Sequence, residues 1–377
     1  MSRDPGSRRS EALTVTGRRR NSGATSMLVT YVEAGRPDLL TYAGLVSMAG
    51  ALLTSGHVGP LRLAGAWLAP TLGWVAAMYG GDYFDRKLDA VAKPHRPIPS
   101  GRMSANTALA GMVINIVLGT VVAMLLNPRN VAVVVITLAL GVSYSKFLKA
   151  HGVWGNLVRG GVTAMAFIMG TMSAAPLPPV RLLPLALVFW LHDSGSNVAG
   201  AICDRDGDRA GGYRTFPVCH GDTAALRLMM VFDAGWLALA VLYPVLALTT
   251  FRVAAFIPFL AIAVALGSVT VIMLTRAPRP IPRLVALRAH EFLVLDRLVL
   301  AGGLIAAAGH ILLATVLVIL SVAATLLASA RMMRWRYEPL RPRRGQPATA
   351  PSRGAATAPS RGSDPRLAEW PTPESQS

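Results

Sequence analysis

Cysteine and lysine are almost missing from this chain. Its 377 residues include two cysteines, Cys203 and Cys219, and lysine stands only at 87, 93, 146 and 149. Two cysteines with no CxxC pair exclude a disulfide framework and a thiolate metal knuckle. Cys203, directly before Asp204, reads as a small apolar filler. Charge is scarce as well: 15% of residues are Asp, Glu, Lys or Arg, and only 19 are acidic. No basic helix and no aromatic-basic platform stands out, so nucleic acid is not the expected partner. Residues 1–26 are rich in Arg, Ser and Gly without an apolar core, and so do not read as a secretory leader.

Apolar residues are what the chain has in excess. They make up 53% of it, and the mean hydropathy is +0.47, too apolar for an ordinary soluble protein of this length. Runs of membrane-spanning length fall near 38–56, 61–81, 104–126, 130–147, 155–174, 182–201, 224–248 and 253–275. The stretch 298–330 is apolar throughout; as one helix it would reach roughly 50 Å, against a hydrocarbon core of about 30 Å. It is either one long tilted span or two short ones broken near Gly309-His310. The expected fold class is therefore an all-α integral membrane protein, a bundle of nine or ten transmembrane helices around a central cavity. This domain is expected over 27–335, between a disordered basic tail at 1–26 and a disordered Pro/Arg-rich tail at 336–377.

The net charge of +18 is carried mostly by arginine, in loops and tails. Positive residues gather in the N-terminal tail and in the loops 82–103, 146–151, 202–223 and 276–297. The intervening loops hold at most one Arg each. By the positive-inside rule the first group faces the cytoplasm of a cell membrane.

Carboxylates, though few, are concentrated. Asp82, Asp85 and Asp89 stand at i, i+3 and i+7 at the end of the second apolar run. Asp204, Asp206 and Asp208 stand at the end of the sixth. On helices the first three share a face, as do Asp204 and Asp208. Carboxylates beside lipid are costly and functional by default. Hard oxygen ligands in two clusters suit Mg2+, which bridges carboxylates to substrate phosphates. Each cluster is followed by an Arg-containing loop with a proline, Arg96-Pro97 in one case and Arg214-Thr215-Phe216-Pro217 in the other, which suggests a pseudo-repeat facing one cavity. The bland alternative is a solvated loop edge in which aspartates pair with their own arginines.

At these residues the chain resembles the UbiA superfamily of intramembrane prenyltransferases. That family carries NDxxDxxxD in its first half and DxxxD in its second. Gly81-Asp82-Tyr83-Phe84-Asp85-Arg86-Lys87-Leu88-Asp89 matches every aspartate and replaces the leading Asn with Gly81. Lys93-Pro94-His95-Arg96-Pro97-Ile98-Pro99-Ser100-Gly101 is similar to the family's RPIPSG segment. Asp204 to Arg209 with Arg214-Thr215-Phe216-Pro217-Val218 resembles its second motif, and Tyr144-Ser145 with Lys149 resembles its Tyr-Ser…Lys segment. The resemblance implies Mg2+-dependent ionisation of an isoprenyl diphosphate and capture of the allylic cation by an aromatic or lipid acceptor. It implies Asp82, Asp85, Asp204 and Asp208 as metal carboxylates and Asp89 behind them. It also implies Arg96 and Lys149, with Lys93 in the same segment as Arg96, on phosphate oxygens, and Tyr144 beside the diphosphate or the cation.

Weaker candidates follow. Asn197 lies seven residues before Asp204 on the same helical face; it lines the cavity or makes a helix–helix hydrogen bond. Arg205 and Arg209 contact phosphate or pair with Asp208. Arg159, near the start of the fifth span with Asn156, binds an anion or is a loop-end charge. His192-Asp193 is unexpected in mid-span. Two rival functions stay open. One is terpene cyclisation without an acceptor on the same scaffold. The other is a transporter, which would need carboxylates in mid-span.

Overall fold

A computed structural model describes residues 19–246 and 251–337, and among them all but a few turns are helical. Twelve α-helices follow in order: α1 (Arg19–Gly35), α2 (Tyr42–Ser55), α3 (Pro60–Phe84), α4 (Arg86–Ala92), α5 (Ala105–Leu126), α6 (Asn130–Lys146), α7 (Val153–Met172), α8 (Leu183–Ala210), α9 (Phe216–Leu246), α10 (Val253–Arg276), α11 (Arg283–Ala307) and α12 (Ile311–Tyr337). Four of them, α5, α9, α10 and α12, are each long and apolar enough to cross a membrane, and α1 with α2 forms a fifth candidate bent by 47°.

Local sequence sets the boundaries. Pro60 opens α3 where a missing N–H costs nothing, and the Ser104 side chain accepts the Thr107 amide to cap α5. Large apolar side chains of α5 such as Ile114, Val117 and Leu125 are exposed, as on a lipid-facing helix. The core instead lies among α2, α7, α8 and α11, where Tyr42, Phe167, Phe189 and Leu300 are fully enclosed. In lipid the packing of small residues drives helix association. Gly160 lets α7 meet α8 closely: a Cβ there would stand 2.2 Å from the Trp190 carbonyl oxygen and 2.3 Å from Ser194 Oγ.

The connections form two stitched ends. At one end Arg62 Nε donates to the Ser173 carbonyl at 2.5 Å, Asn127 Nδ2 to that of Met172 at 2.9 Å and Arg181 to that of Thr54 at 3.2 Å. At the other, His151-Gly152 pairs with Arg214-Thr215 as a short parallel bridge, and the Ile281 amide donates to Asp222 Oδ2 at 2.6 Å. The basic connections gather at this second end.

Three expectations change. Helix α1 begins at Arg19, inside the segment expected to be a disordered tail; the rest of that tail and residues 338–377 lie outside the described residues. The stretch 298–330 is indeed broken, at 308–310, where Gly309 has φ 102°. The helix before the break starts at Arg283, so Arg288 and Arg297, expected in a loop, are helical. A charge inside the bundle was assigned to the loop because its partner, Asp193, comes from another helix.

Candidate active site

The two aspartate clusters meet at the basic end. Asp82 ends α3, Asp85 sits at the α3–α4 junction, and Asp89 follows in α4. All three are buried, as is Asp208 on α8. The turn after α4 folds back so that Arg96 donates through one nitrogen to Asp89 Oδ2 at 2.6 Å and to Asp82 Oδ1 at 3.4 Å. Lys93 Nζ reaches Asp204 Oδ2 at 2.7 Å and joins the first cluster to the second. Lys149, in the turn after α6, donates to Asp85 Oδ2 at 2.5 Å. Its ammonium also lies 5.6 Å from the centre of the Tyr213 ring. The short bridge between His151-Gly152 and Arg214-Thr215 anchors that turn beside the second cluster. Tyr144 is within electrostatic reach of Lys149, Asp85 and Asp208.

Burial opposes the charge on Lys149, but Asp85 outweighs it and holds the ammonium above its ordinary range. The pocket thus combines crowded carboxylates with cations already paired to them.

Among the described residues no three His, Cys, Asp or Glu side chains converge as a ready-made metal cage. Magnesium does not require one, because it keeps waters and takes one or two carboxylates plus substrate phosphates. The donor set fits that mode: all-oxygen ligands, and a buried Asp85 Oδ1 with no hydrogen-bond partner.

The sequence candidates divide. Asp82, Asp85, Asp89, Asp204, Asp208, Lys93, Arg96, Lys149 and Tyr144 come together. Asn197 donates to Asn156 Oδ1 at 2.7 Å across α7 and α8. Arg209 is exposed; it lines a separate cavity of about 310 Å³ with Arg205, Asp206, His220, Asp222 and Arg279. Arg205 pairs with Asp206 and Asp222, and not with Asp208.

Sequence reasoning missed Arg36, whose guanidinium lies 3.5 Å from Asp82 Oδ1. Arg36 holds φ 49°, the one positive φ outside glycine among the described residues. Nothing in a motif marks it; the only hint is its place before Pro37, which bars an ordinary helical conformation. Also missed were Trp74, Tyr42 and Arg297, which surround Asp193 deeper in the bundle. The Arg297 guanidinium lies 4.4 Å from the Tyr42 ring centre. His192 pairs with Asp296 at 2.8 Å, both almost fully buried.

An all-helical membrane bundle with this pocket at one end defines an integral-membrane enzyme of the prenyltransferase class. The chain belongs to the UbiA prenyltransferase family, which it matches over residues 43–295. It is 33% identical over 228 residues to the digeranylgeranylglyceryl phosphate synthase of Ignicoccus hospitalis, covering 58% of this chain and 73% of that protein. To the enzyme of the same name from Methanopyrus kandleri it is 33% identical over 218 residues, covering 57% and 77%. In fold it is similar to a UbiA homologue from Archaeoglobus fulgidus solved with GPP and Mg2+, with a TM-score of 0.59, 16% identity, and coverage of 80% of this chain and 99% of that one. A UbiA homologue from Aeropyrum pernix gives a TM-score of 0.59 at 18% identity, covering 70% and 96%.

Proposed function

We propose that this prenyltransferase moves a geranylgeranyl-type group from its diphosphate to a hydroxyl of a glyceryl phosphate lipid, releasing diphosphate. The convergence of both aspartate clusters with Lys93, Arg96 and Lys149 carries the reading. The curated relatives, named for synthesis of a glyceryl phosphate lipid, supply the acceptor.

Asp82, Asp85, Asp204 and Asp208 would hold Mg2+. When bound, the metal neutralises phosphate oxygens and makes diphosphate a better leaving group. The chain's own cations do the rest. Lys93, Arg96, Lys149 and Arg36 already rest on carboxylates, so an arriving diphosphate takes them over as partners. They then stabilise the charge that grows as the allylic C–O bond breaks and its electron pair leaves with diphosphate. The acceptor oxygen forms the new C–O bond, and its proton passes to water. Asp89 holds Arg96 in place, and Tyr144 is assigned to the neighbourhood of the diphosphate or the allylic cation, near Lys149 and Asp85.

The ten helices α2, α3 and α5 to α12 are the proposed spans, within a membrane domain over 27–335. Several fall short of a simple apolar test because they carry the polar groups of the interior. The site is proposed to face the cytoplasm, from its excess of Lys and Arg.

The test is product mass. Membranes containing the full chain, supplied with geranylgeranyl diphosphate, Mg2+ and a glyceryl phosphate lipid, should yield the doubly modified lipid and free diphosphate. A hydrocarbon product formed without any acceptor would contradict the reading and indicate cyclisation.

A further inference from the structure

Diphosphate chemistry leaves a second polar cluster unused, and the helices connect it to the first. On α8, Asp193, Asn197, Asp204 and Asp208 share one face, with Asp193 about 16 Å along the axis from Asp204 at ~1.5 Å per residue. On α7, Asn156, Arg159 and Thr163 share another face. The two faces meet as a seam: Asn197 donates to Asn156 at 2.7 Å, Arg159 to Asp193 at 3.2 Å, and the Thr163 hydroxyl also donates to Asp193. Asp193 receives a further bond of 3.1 Å from Arg297.

The count of charges at Asp193 matters. Two guanidinium groups share one carboxylate. Arg297 and Asp193 are sealed, with side chains 4% and 2% exposed, whereas Arg159 is 18% exposed. Asp296, paired with His192, also faces Arg297, and Asp233 on α9 faces both His192 and Asp296, so three carboxylates stand against two guanidinium groups and His192. Arg159 also lies over Trp74, its guanidinium carbon 4.4 Å from the ring centre, a cation–π contact that helps hold the side chain in place. Arg159 is thus the partly exposed cation of a seam that runs to the diphosphate cluster, placed to meet an anion as well as Asp193. Tyr144 lies within electrostatic reach of both Lys149 and Arg159, so the phenol neighbours both cations.

We propose that Arg159, backed by Asp193 and stacked on Trp74, anchors the phosphate of the acceptor lipid and so turns the acceptor hydroxyl toward the allylic carbon. This rests on the acceptor reading above. Arg159 is assigned a binding role, separate from the diphosphate groups.

The experiment uses the purified full chain in lipid nanodiscs with two acceptors, the glyceryl phosphate lipid and the same lipid without its phosphate. The wild type should prefer the phosphorylated lipid. Arg159→Gln should raise KM for that lipid about 10- to 100-fold, the loss of a charge-assisted hydrogen-bond pair. It should also erase the preference, while KM for the prenyl diphosphate changes less than about twofold. If the Gln variant shows no thermal transition, Arg159→Lys is read instead, with the preference falling severalfold because an ammonium cannot fork. A folded variant with unchanged acceptor KM and unchanged preference overturns the anchor. Failure of the wild type to prenylate either lipid is a different result; it overturns the proposed acceptor and the anchor with it.

Discussion

Lys93 Nζ lies 2.7 Å from Asp204 Oδ2, and this contact joins two segments 111 positions apart in sequence. It is one of several pairs in which a cation assigned to the substrate rests on a carboxylate assigned to the metal. Arg96 and Arg36 on Asp82, and Lys149 on Asp85, are the others.

Partner exchange of this kind predicts that Mg2+ and diphosphate bind together. Mg2+ alone must compete with ammonium and guanidinium groups, and diphosphate alone must compete with aspartates. Thermal shift of the purified protein should respond weakly to either and by more than their sum to both. A full shift with Mg2+ alone would show that the carboxylates are already free to bind.

Arg96 spans two carboxylates through one nitrogen and keeps its other donors for phosphate. Arg96→Lys keeps the charge and loses the fork, and should slow diphosphate release about tenfold; Arg96→Ala should slow it about a hundredfold. Steady-state kinetics with varied prenyl diphosphate checks this. Normal diphosphate release with only acceptor use impaired would reassign this turn.

Gly160 sets the distance between α7 and α8, and therefore the seam that carries Arg159 and Asp193. Gly160→Ala should cost about 1–3 kcal/mol by overpacking, read as a lowered Tm. Combining it with Ser194→Gly should not restore stability, because the Trp190 carbonyl remains in the way. Full rescue would show that the contact with Trp190 yields easily.

Topology is open to labelling. In a Cys219→Ser background, cysteines at Ser100 and His220 lie at the basic end, and one at Arg129 lies at the other. An impermeant reagent applied to intact cells should label only Arg129→Cys. Efficient labelling at Ser100 would place the site outside the cytoplasm.

Much of this was legible in the sequence because lipid imposes it. Span-length apolar runs and the grouping of basic loops at one end follow from the cost of exposing backbone and charge in hydrocarbon, whereas the break at Gly309 was one of two readings that the apolar pattern left open. The aspartate pocket was legible because scarce carboxylates were clustered at helical spacing. What escaped was tertiary pairing. Arg297 looked like a loop charge because nothing local shows that Asp193 neutralises it. Arg36 was not singled out because its partner Asp82 is 46 positions away. Arg209 looked like a site residue because it follows Asp208, yet one step around a helix turned it outward.

The central claim is that both clusters hold the metal-bound diphosphate. The most direct measurement is Mg2+-dependent diphosphate release by Asp82→Asn, Asp85→Asn, Asp204→Asn and Asp208→Asn, each verified as folded by its thermal transition. The account predicts a loss of at least about a hundredfold in every one of them, reproduced in the wild type by chelation and reversed by added Mg2+. Near-normal release by any two of the four would contradict it.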